Sequence, residues 1–207
     1  MTPKFELECG PYDDKRLCKL QLHFVRRKIG VLVSGGLDSA LLYYLLQLIA
    51  NEKYTVKPFI INRNNDGSDI FAQPVIDFIN NKLNKSKQDA TVIPINETNS
   101  EIQVSAGMRE MVKYNTNINY IGIIETLPIH AMNAVPYVPR DTEQFVYPFK
   151  NLNKSHIVDC IYKLGLEKLF EITHSCVYKN YRCNHCNRCN ERHWAFTKLG
   201  LVDPGIG

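Results

Sequence analysis

Two short stretches of the chain hold residues whose types and spacing could do chemistry. In "VLVSGGLDSALLYYLL", Val31 to Leu46, an apolar run breaks into Ser34, Gly35, Gly36, Leu37, Asp38 and Ser39 and then resumes with helical spacing. Adjacent glycines let the backbone take positive φ and approach a ligand with no Cβ in the way. Ser34 and Ser39 add hydroxyls, and the N–H groups at a helix start face an anion with the dipole behind them. The combination reads as a phosphate cradle. It is not GxxxxGK[ST], because no lysine follows the glycines, and it does not match GxGxxG. The plainer reading is a strand-turn-helix junction in which Ser34 or Asp38 only caps the helix.

The second stretch, "CVYKNYRCNHCNRC", sets Cys176, Cys183, Cys186 and Cys189 in the spacing Cys-x6-Cys-x2-Cys-x2-Cys. Four thiolates, two of the gaps being two residues long, suit tetrahedral Zn²⁺ with no open position, which is a structural site. The same ligands suit an iron–sulfur cluster, and a redox-active CxxC pair is the rival use of such thiols. The other three of the seven cysteines, Cys9, Cys18 and Cys160, are scattered along the chain. Arg182, Arg188 and Arg192 lend basic character near the cluster, and such a run is most simply a solvated face. His174, His185 and His193 flank it with no role assigned.

The elements that must position these groups follow from hydrophobic period. "KIGVLVS", "VKPFIIN", "ATVIPIN" and "INYIGII" read as buried strands. Between them, "SALLYYLLQLIANE", "IFAQPVIDFINNKL" with a proline near its first turn, and "SEIQVSAGMREMVKYN" weakened by Gly107 read as helices. "KSHIVDCIYKLGL" puts Ile157, Cys160, Ile161 and Leu164 on one helical face. Strands alternating with helices of this length imply right-handed crossovers, hence an α/β fold with a doubly wound parallel sheet covered on both faces. Ligands in such a fold sit at the carboxyl ends of the strands, where the Ser34–Ser39 junction lies. Residues 1–28 show no clean period and read as an N-terminal extension. The whole of 1–207 is expected to form one domain, with a C-terminal zinc-binding appendage at 174–192.

Composition sets the remaining bounds. The chain has 207 residues, enough for one sizeable core, and at 44% hydrophobic and 22% charged it is neither disordered nor fibrous. No apolar run is long enough to span a bilayer, and "MTPKFELECGPYDDKRL" lacks the apolar region of a secretory signal, so a cytoplasmic protein with no membrane partner is expected. The net charge of +4 suits a phosphate ligand as well as nucleic acid and does not choose between them.

"SGGLDS" resembles the pyrophosphate loop of the PP-loop ATP pyrophosphatases. "CNRCNERHWAFTKLGLVDP" resembles the C-terminal end of the 7-cyano-7-deazaguanine synthases within that superfamily, where a cysteine knuckle runs into an "ERxxAF" helix and a "GxxDP" close. "PFKNLNKSHIVDCIYKLGL" resembles the segment preceding that family's zinc site. The matches lie in the family's order and span most of residues 29 to 205. The chain departs from the family in a shorter gap between its first two cysteines and in "INRNNDGSD", "SAGMRE" and "IETLPIHAMNAVPYVPR".

The resemblance implies an adenine nucleotide alpha hydrolase-like fold and an ATP-dependent ligase. A 7-carboxy-7-deazaguanine-like carboxylate would be adenylated, captured by ammonia as the amide, and activated again to give the nitrile. It further implies ATP with Mg²⁺, a structural Zn²⁺, a homodimer and no nucleic-acid partner. Ser34, Gly35, Gly36, Leu37, Asp38, Ser39 and Asn62 would bind the nucleotide, with Asp38, Ser39 and Lys154 as the catalytic group. Arg109 and Glu125 would meet the acceptor. Against this stand a tRNA-thiolating PP-loop enzyme, a PP-loop sulfonucleotide reductase, and a zinc-knuckle module that binds nucleic acid beside a vestigial nucleotide pocket.

Overall fold

The structure is a computed structural model. It describes residues 2–63, 68–95, 100–126, 139–176 and 181–205, without the side chains of 63, 68, 69 and 100–103. Five strands form the central sheet, β3 (Lys28–Leu32), β4 (Thr55–Arg63), β5 (Thr91–Ile95), β6 (Ile118–Tyr120) and β7 (Phe145–Val146), in the order β5-β4-β3-β6-β7. Every pairing in it is parallel. The crossovers are α1 (Leu37–Ile49), α2 (Ser68–Lys82) and α3 (Ser100–Val112). The chain moves outward from β3 to β5 and then returns to the other side of β3, so the order reverses between β3 and β6. That reversal is the crevice where this class of sheet takes ligands.

Two apolar clusters flank the sheet. On one face Ile29, Val31 and Val33 pack with α1, α2 and the later helices α4 (Lys154–Lys163), α5 (Lys168–Ile172) and α6 (Asn187–Lys198). On the other, Leu32, Phe59, Ile61, Ile93 and Ile95 pack with Met111 of α3. Gly107 sits in α3 where a Cβ would come within 2.2 Å of Ile61 Cδ1, so the residue expected to weaken this helix is also what lets it lie close on β4.

Proline placement tests the strand assignment. Pro58 lies in an interior strand, where a missing N–H normally breaks the ladder. Here Val33 N–H donates to the Phe59 carbonyl at 2.8 Å, so Phe59 faces β3 and Pro58 faces the β5 side. Pairing with β5 begins only at Phe59–Thr91, and the absent donor has no acceptor to miss. Pro74 is inside α2, in its second turn and not its first.

The N-terminal residues depart most from expectation. They form an antiparallel hairpin, β1 (Lys4–Cys9) and β2 (Arg16–Gln21), as a separate two-stranded sheet. Alternation at Phe5, Leu7 and Cys9 and at Cys18 and Leu20 is the signal that reading those residues as aperiodic missed. The hairpin packs on α4, and the three scattered cysteines converge there: Cys9, Cys18 and Cys160 are all free thiols without exposed surface. A second addition is β7, which extends the sheet beyond β6. No helix among the described residues is long and apolar enough to cross a membrane.

Candidate functional site

The Ser34–Ser39 turn joins β3 to α1 at the carboxyl edge, beside the reversal of strand order. Gly35 has φ +81°, the left-handed region where a side chain is strained. A Cβ there would also lie 2.7 Å from Phe71 Cβ. The N-cap of α1 is Gly36, with no side-chain cap, so neither Ser34 nor Asp38 is merely capping. The first helical hydrogen bond runs from Ala40 N–H to the Gly36 carbonyl at 3.0 Å, so the helix provides no acceptor for the N–H groups of Leu37, Asp38 and Ser39.

Alternate residues of the turn point in opposite directions. Ser34, Gly36 and Asp38 are partly exposed, whereas Gly35, Leu37 and Ser39 are buried. Leu37 therefore offers a ligand its backbone only, its side chain being in the core. Ser39 Oγ accepts from Ser34 N–H at 3.1 Å and donates to the Gly36 carbonyl at 3.1 Å, which closes the turn from inside. The Ser34 and Ser39 hydroxyls lie 3.1 Å apart. His174 N–H donates to the Gly35 carbonyl at 2.9 Å, and the His174 ring stacks on Phe71 at 4.0 Å. These two rings brace the loop from α2 and from the segment leading to Cys176.

Lys154, the first residue of α4, is neither on the surface nor free to reach outward. Its side chain is 4% exposed and its Nζ donates to both Asp38 oxygens, at 2.8 and 2.6 Å. Nearby is Glu191 of α6, whose Oε2 lies 3.6 Å from the same ammonium and makes no hydrogen bond. α4 begins at Lys154 because Asn153 and His156 form a reciprocal capping box. The chain of charges from part-exposed Asp38 through buried Lys154 to buried Glu191 thus ties the loop to the helix that carries Cys189 and is capped by Cys186.

The four thiols of Cys176, Cys183, Cys186 and Cys189 all lie within 4.8 Å of one another. Cys183 and Cys189 sulfurs are 4.0 Å apart and Cys176 and Cys186 sulfurs 3.9 Å, close to the ~3.8 Å edge of a tetrahedron with ~2.3 Å Zn–S bonds. Cys183 N–H points to Cys176 Sγ at 3.4 Å and Cys186 N–H to Cys183 Sγ at 3.2 Å, with Asn184 at φ +58° making the bend. Such N–H groups stabilise thiolate charge. The donor set fits a metal ion.

The arginines beside the cluster do not form the solvated face expected of them. Arg192 is 2% exposed and grips Asp203 through Nε at 2.6 Å and Nη2 at 2.8 Å, while donating to the Phe170 carbonyl. Arg182 donates to the Phe170 and Thr173 carbonyls at 3.2 and 2.7 Å. Burial by itself would raise the Asp203 carboxyl, but the hydrogen bond and charge of Arg192 outweigh it and hold it below its ordinary 3.8. Two of the three arginines therefore lock the C-terminal "VDP" to α5 and α6, which leaves Arg188 exposed.

The acceptor candidates do not gather. Arg109 is exposed in the last turn of α3, a helix that leaves the carboxyl edge after β5 and ends at the amino edge before β6, away from the loop. Glu125 lies beyond β6 at the correct edge, but its Oε2 accepts from Arg16 of the hairpin at 2.5 Å. Asn62 is half-buried near the carboxyl end of β4. Of the three segments that differ from the family, "SAGMRE" is described, whereas residues 64–67 of "INRNNDGSD" and 127–138 of "IETLPIHAMNAVPYVPR" lie outside the described residues. Phe71 carries no signal in the sequence, and Glu191 enters there only as the first residue of the "ERxxAF" resemblance, with no role attached.

Residues 125–200 match the family model "Queuosine biosynthesis protein QueC". A 7-cyano-7-deazaguanine synthase from Caldicellulosiruptor saccharolyticus is 26% identical over 213 residues, covering 84% of this chain and 92% of that protein. Among solved structures, NMN synthetase from Francisella tularensis superposes with a TM-score of 0.50 at 13% identity, over 86% of this chain and 84% of its own, which supports the fold alone. U34-tRNA thiolase NcsA from Methanococcus maripaludis, solved with its [4Fe-4S] cluster, scores 0.49 at 11% identity over 88% of this chain and 76% of its own. With the SGGLDS turn at the switch point and the cysteine cluster inside the matched segment, the two sequence matches support a QueC-like member of the PP-loop superfamily.

Proposed function

We propose that the chain is an ATP-dependent ligase that converts a 7-carboxy-7-deazaguanine-like carboxylate, with ammonia, to the amide and then to the nitrile 7-cyano-7-deazaguanine. The observation that carries this reading is the buried connection, through Lys154, of the SGGLDS turn to the helix of the QueC-matching cysteine segment. One domain across 1–207, a homodimer and a cytoplasmic location belong to the same reading.

The turn's N–H groups would grip the β and γ phosphates of ATP and leave the α phosphorus open. A carboxylate oxygen attacks that phosphorus, pyrophosphate leaves, and an acyl adenylate forms. Ammonia then adds to the acyl carbon and AMP departs with one carboxylate oxygen, giving the amide. In the second round the amide oxygen attacks the α phosphorus of another ATP and expels pyrophosphate, and loss of AMP and two protons from the adenylated imidate leaves the nitrile. Both oxygens depart in AMP, so the stoichiometry is two ATP per nitrile. The chain's contribution is positioning and electrostatic stabilisation of the leaving group, and it needs no covalent nucleophile.

Asp38, part-exposed at the lip of the loop, is the residue that would hold Mg²⁺ beside the phosphates, where the ion neutralises leaving-group charge. The four thiolates would hold Zn²⁺ in a closed site that stabilises the fold. Burial of Arg192, and the commitment of part-buried Arg182 to the Phe170 and Thr173 carbonyls, weigh against an RNA surface at the cluster.

The test is mass spectrometry of reactions containing the protein, ATP, Mg²⁺, ammonia and a panel of carboxylated deazapurines. The expected result is two AMP and two pyrophosphate per nitrile, with a transient amide that is itself a substrate. An ammonia-dependent reaction stopping at the amide with one AMP would retain the adenylation and remove the second dehydration. No ammonia-dependent product from any deazapurine carboxylate would overturn the reading.

A further inference from the structure

The Glu191 carboxylate is placed where it has little reason to be unless Lys154 needs it. Its side chain is 4% exposed, and its Oε2 has no hydrogen-bond partner. A buried carboxylate in that state is costly unless a nearby opposite charge compensates it. The Lys154 ammonium, 3.6 Å away, supplies that charge, although it already donates to both oxygens of Asp38. One buried cation therefore serves two carboxylates that differ in access: Asp38 is 19% exposed at the loop, and Glu191 is enclosed behind it.

We propose that Glu191 is a positioning residue that holds Lys154 from behind, keeping the ammonium in place and compensated when Asp38 turns toward a ligand. This rests on the nucleotide reading of the loop. Phosphates arriving at the turn with a divalent cation draw Asp38 away from Lys154. Without a second carboxylate in reach, that movement strands a buried ammonium. With Glu191 in reach, Lys154 keeps a counter-ion and Asp38 is released. Because α6 also carries Cys186 at its N-cap and Cys189 in its first turn, the anchoring of that helix sets where Glu191 stands.

Two measurements test this on the intact, metal-loaded chain. In the first, the amine of Lys154 is acetylated and followed by peptide mass spectrometry. Wild type, Asp38→Asn and Glu191→Gln should each keep Lys154 protected, because one carboxylate still holds it, whereas the double variant should label at least about tenfold faster, the scale of losing one charge-assisted contact. Equal labelling in Asp38→Asn and the double variant overturns the proposal. Should the double variant fail to fold, the single Asp38→Asn decides: retained protection supports Glu191, and lost protection overturns it.

In the second, calorimetric binding of ATP is titrated with Mg²⁺. Glu191→Gln should raise the half-saturating Mg²⁺ about tenfold, since Lys154 then depends on Asp38 alone. Zinc content and Tm should stay near wild type, which a merely structural role would not predict. An unchanged Mg²⁺ requirement overturns the proposal. A wild-type chain that binds no MgATP refutes the nucleotide reading instead, and the labelling result still decides the role of Glu191.

Discussion

The SGGLDS loop and the cysteine segment are both short and contiguous, yet they hold together by opposite means. The loop has a single internal tie, the Ser39 hydroxyl, and takes the rest of its support from afar: Phe71, Lys154 and His174 reach it from three separate regions of the chain. The cysteine segment gathers four thiols within 4.8 Å of one another, and a bound metal would make it its own source of cohesion. A backbone anion site can lose a side chain and keep its shape, because the N–H groups remain. A thiolate cluster cannot, because each ligand is part of the structure. Damage to the loop should therefore appear in chemistry, and damage to the cluster in folding.

The sharpest way to break this contrast is Cys186→Ser. Structural zinc in small thiolate sites contributes folding free energy on the order of 10 kcal/mol. The variant is expected to lose about one zinc per chain and to become insoluble or melt far below wild type, read by metal analysis and thermal unfolding. A soluble, fully folded, zinc-free variant would place the cluster in the same class as the loop. Visible absorbance in an anaerobic preparation would identify iron and sulfur as the occupant.

Next in size is Asp203→Ala, which strands the buried Arg192 and should cost about 3–5 kcal/mol. Its pH dependence has a definite sign. Asp203 is held below its ordinary 3.8 in the folded chain, so its stabilisation is complete above that value and is lost as pH falls through the lower folded value. The stability gap between wild type and variant should accordingly narrow in acid, measured by denaturant unfolding at pH 7 and below pH ~3. A gap that widened in acid would mean the pair does not stabilise this region.

On the loop, Asp38→Asn should slow pyrophosphate release about a hundredfold, roughly 2.7 kcal/mol of transition-state stabilisation. Its melting temperature should move by only a few degrees, about 1 kcal/mol, because Glu191 still compensates Lys154. Turnover at the wild-type rate would remove the phosphate assignment. The smallest effect is expected at the hairpin, where Arg16→Gln breaks the bonds to Asp14 and Glu125. Both carboxylates are more than a third exposed, so the loss should be within about 1 kcal/mol and should shrink as salt is added. A larger, salt-independent loss would make the hairpin part of the site's framework.

What the sequence by itself determined is local or periodic. Two adjacent glycines after an apolar strand specify a turn with positive φ, and Gly35 adopts it at +81°. Two-residue gaps between cysteines specify knuckles, and the sulfurs converge. Alternating strand and helix periods specify a parallel sheet, because only crossovers of that length connect such strands. Each of these depends on φ, ψ and spacing within about a dozen residues, a range over which the chain's own sterics decide.

Only the tertiary structure decided who faces whom. Lys154 meets Asp38 across 116 positions and Arg16 meets Glu125 across 109, pairings set by how α4 and the hairpin pack on the sheet. The same packing buried Arg192, sent Arg109 to the far edge, and brought Cys9, Cys18 and Cys160 into one core. Charge and residue type state what a side chain can do. Its partner, and therefore its role, follows from burial and the direction of the element that carries it, and neither is contained in spacing along the chain.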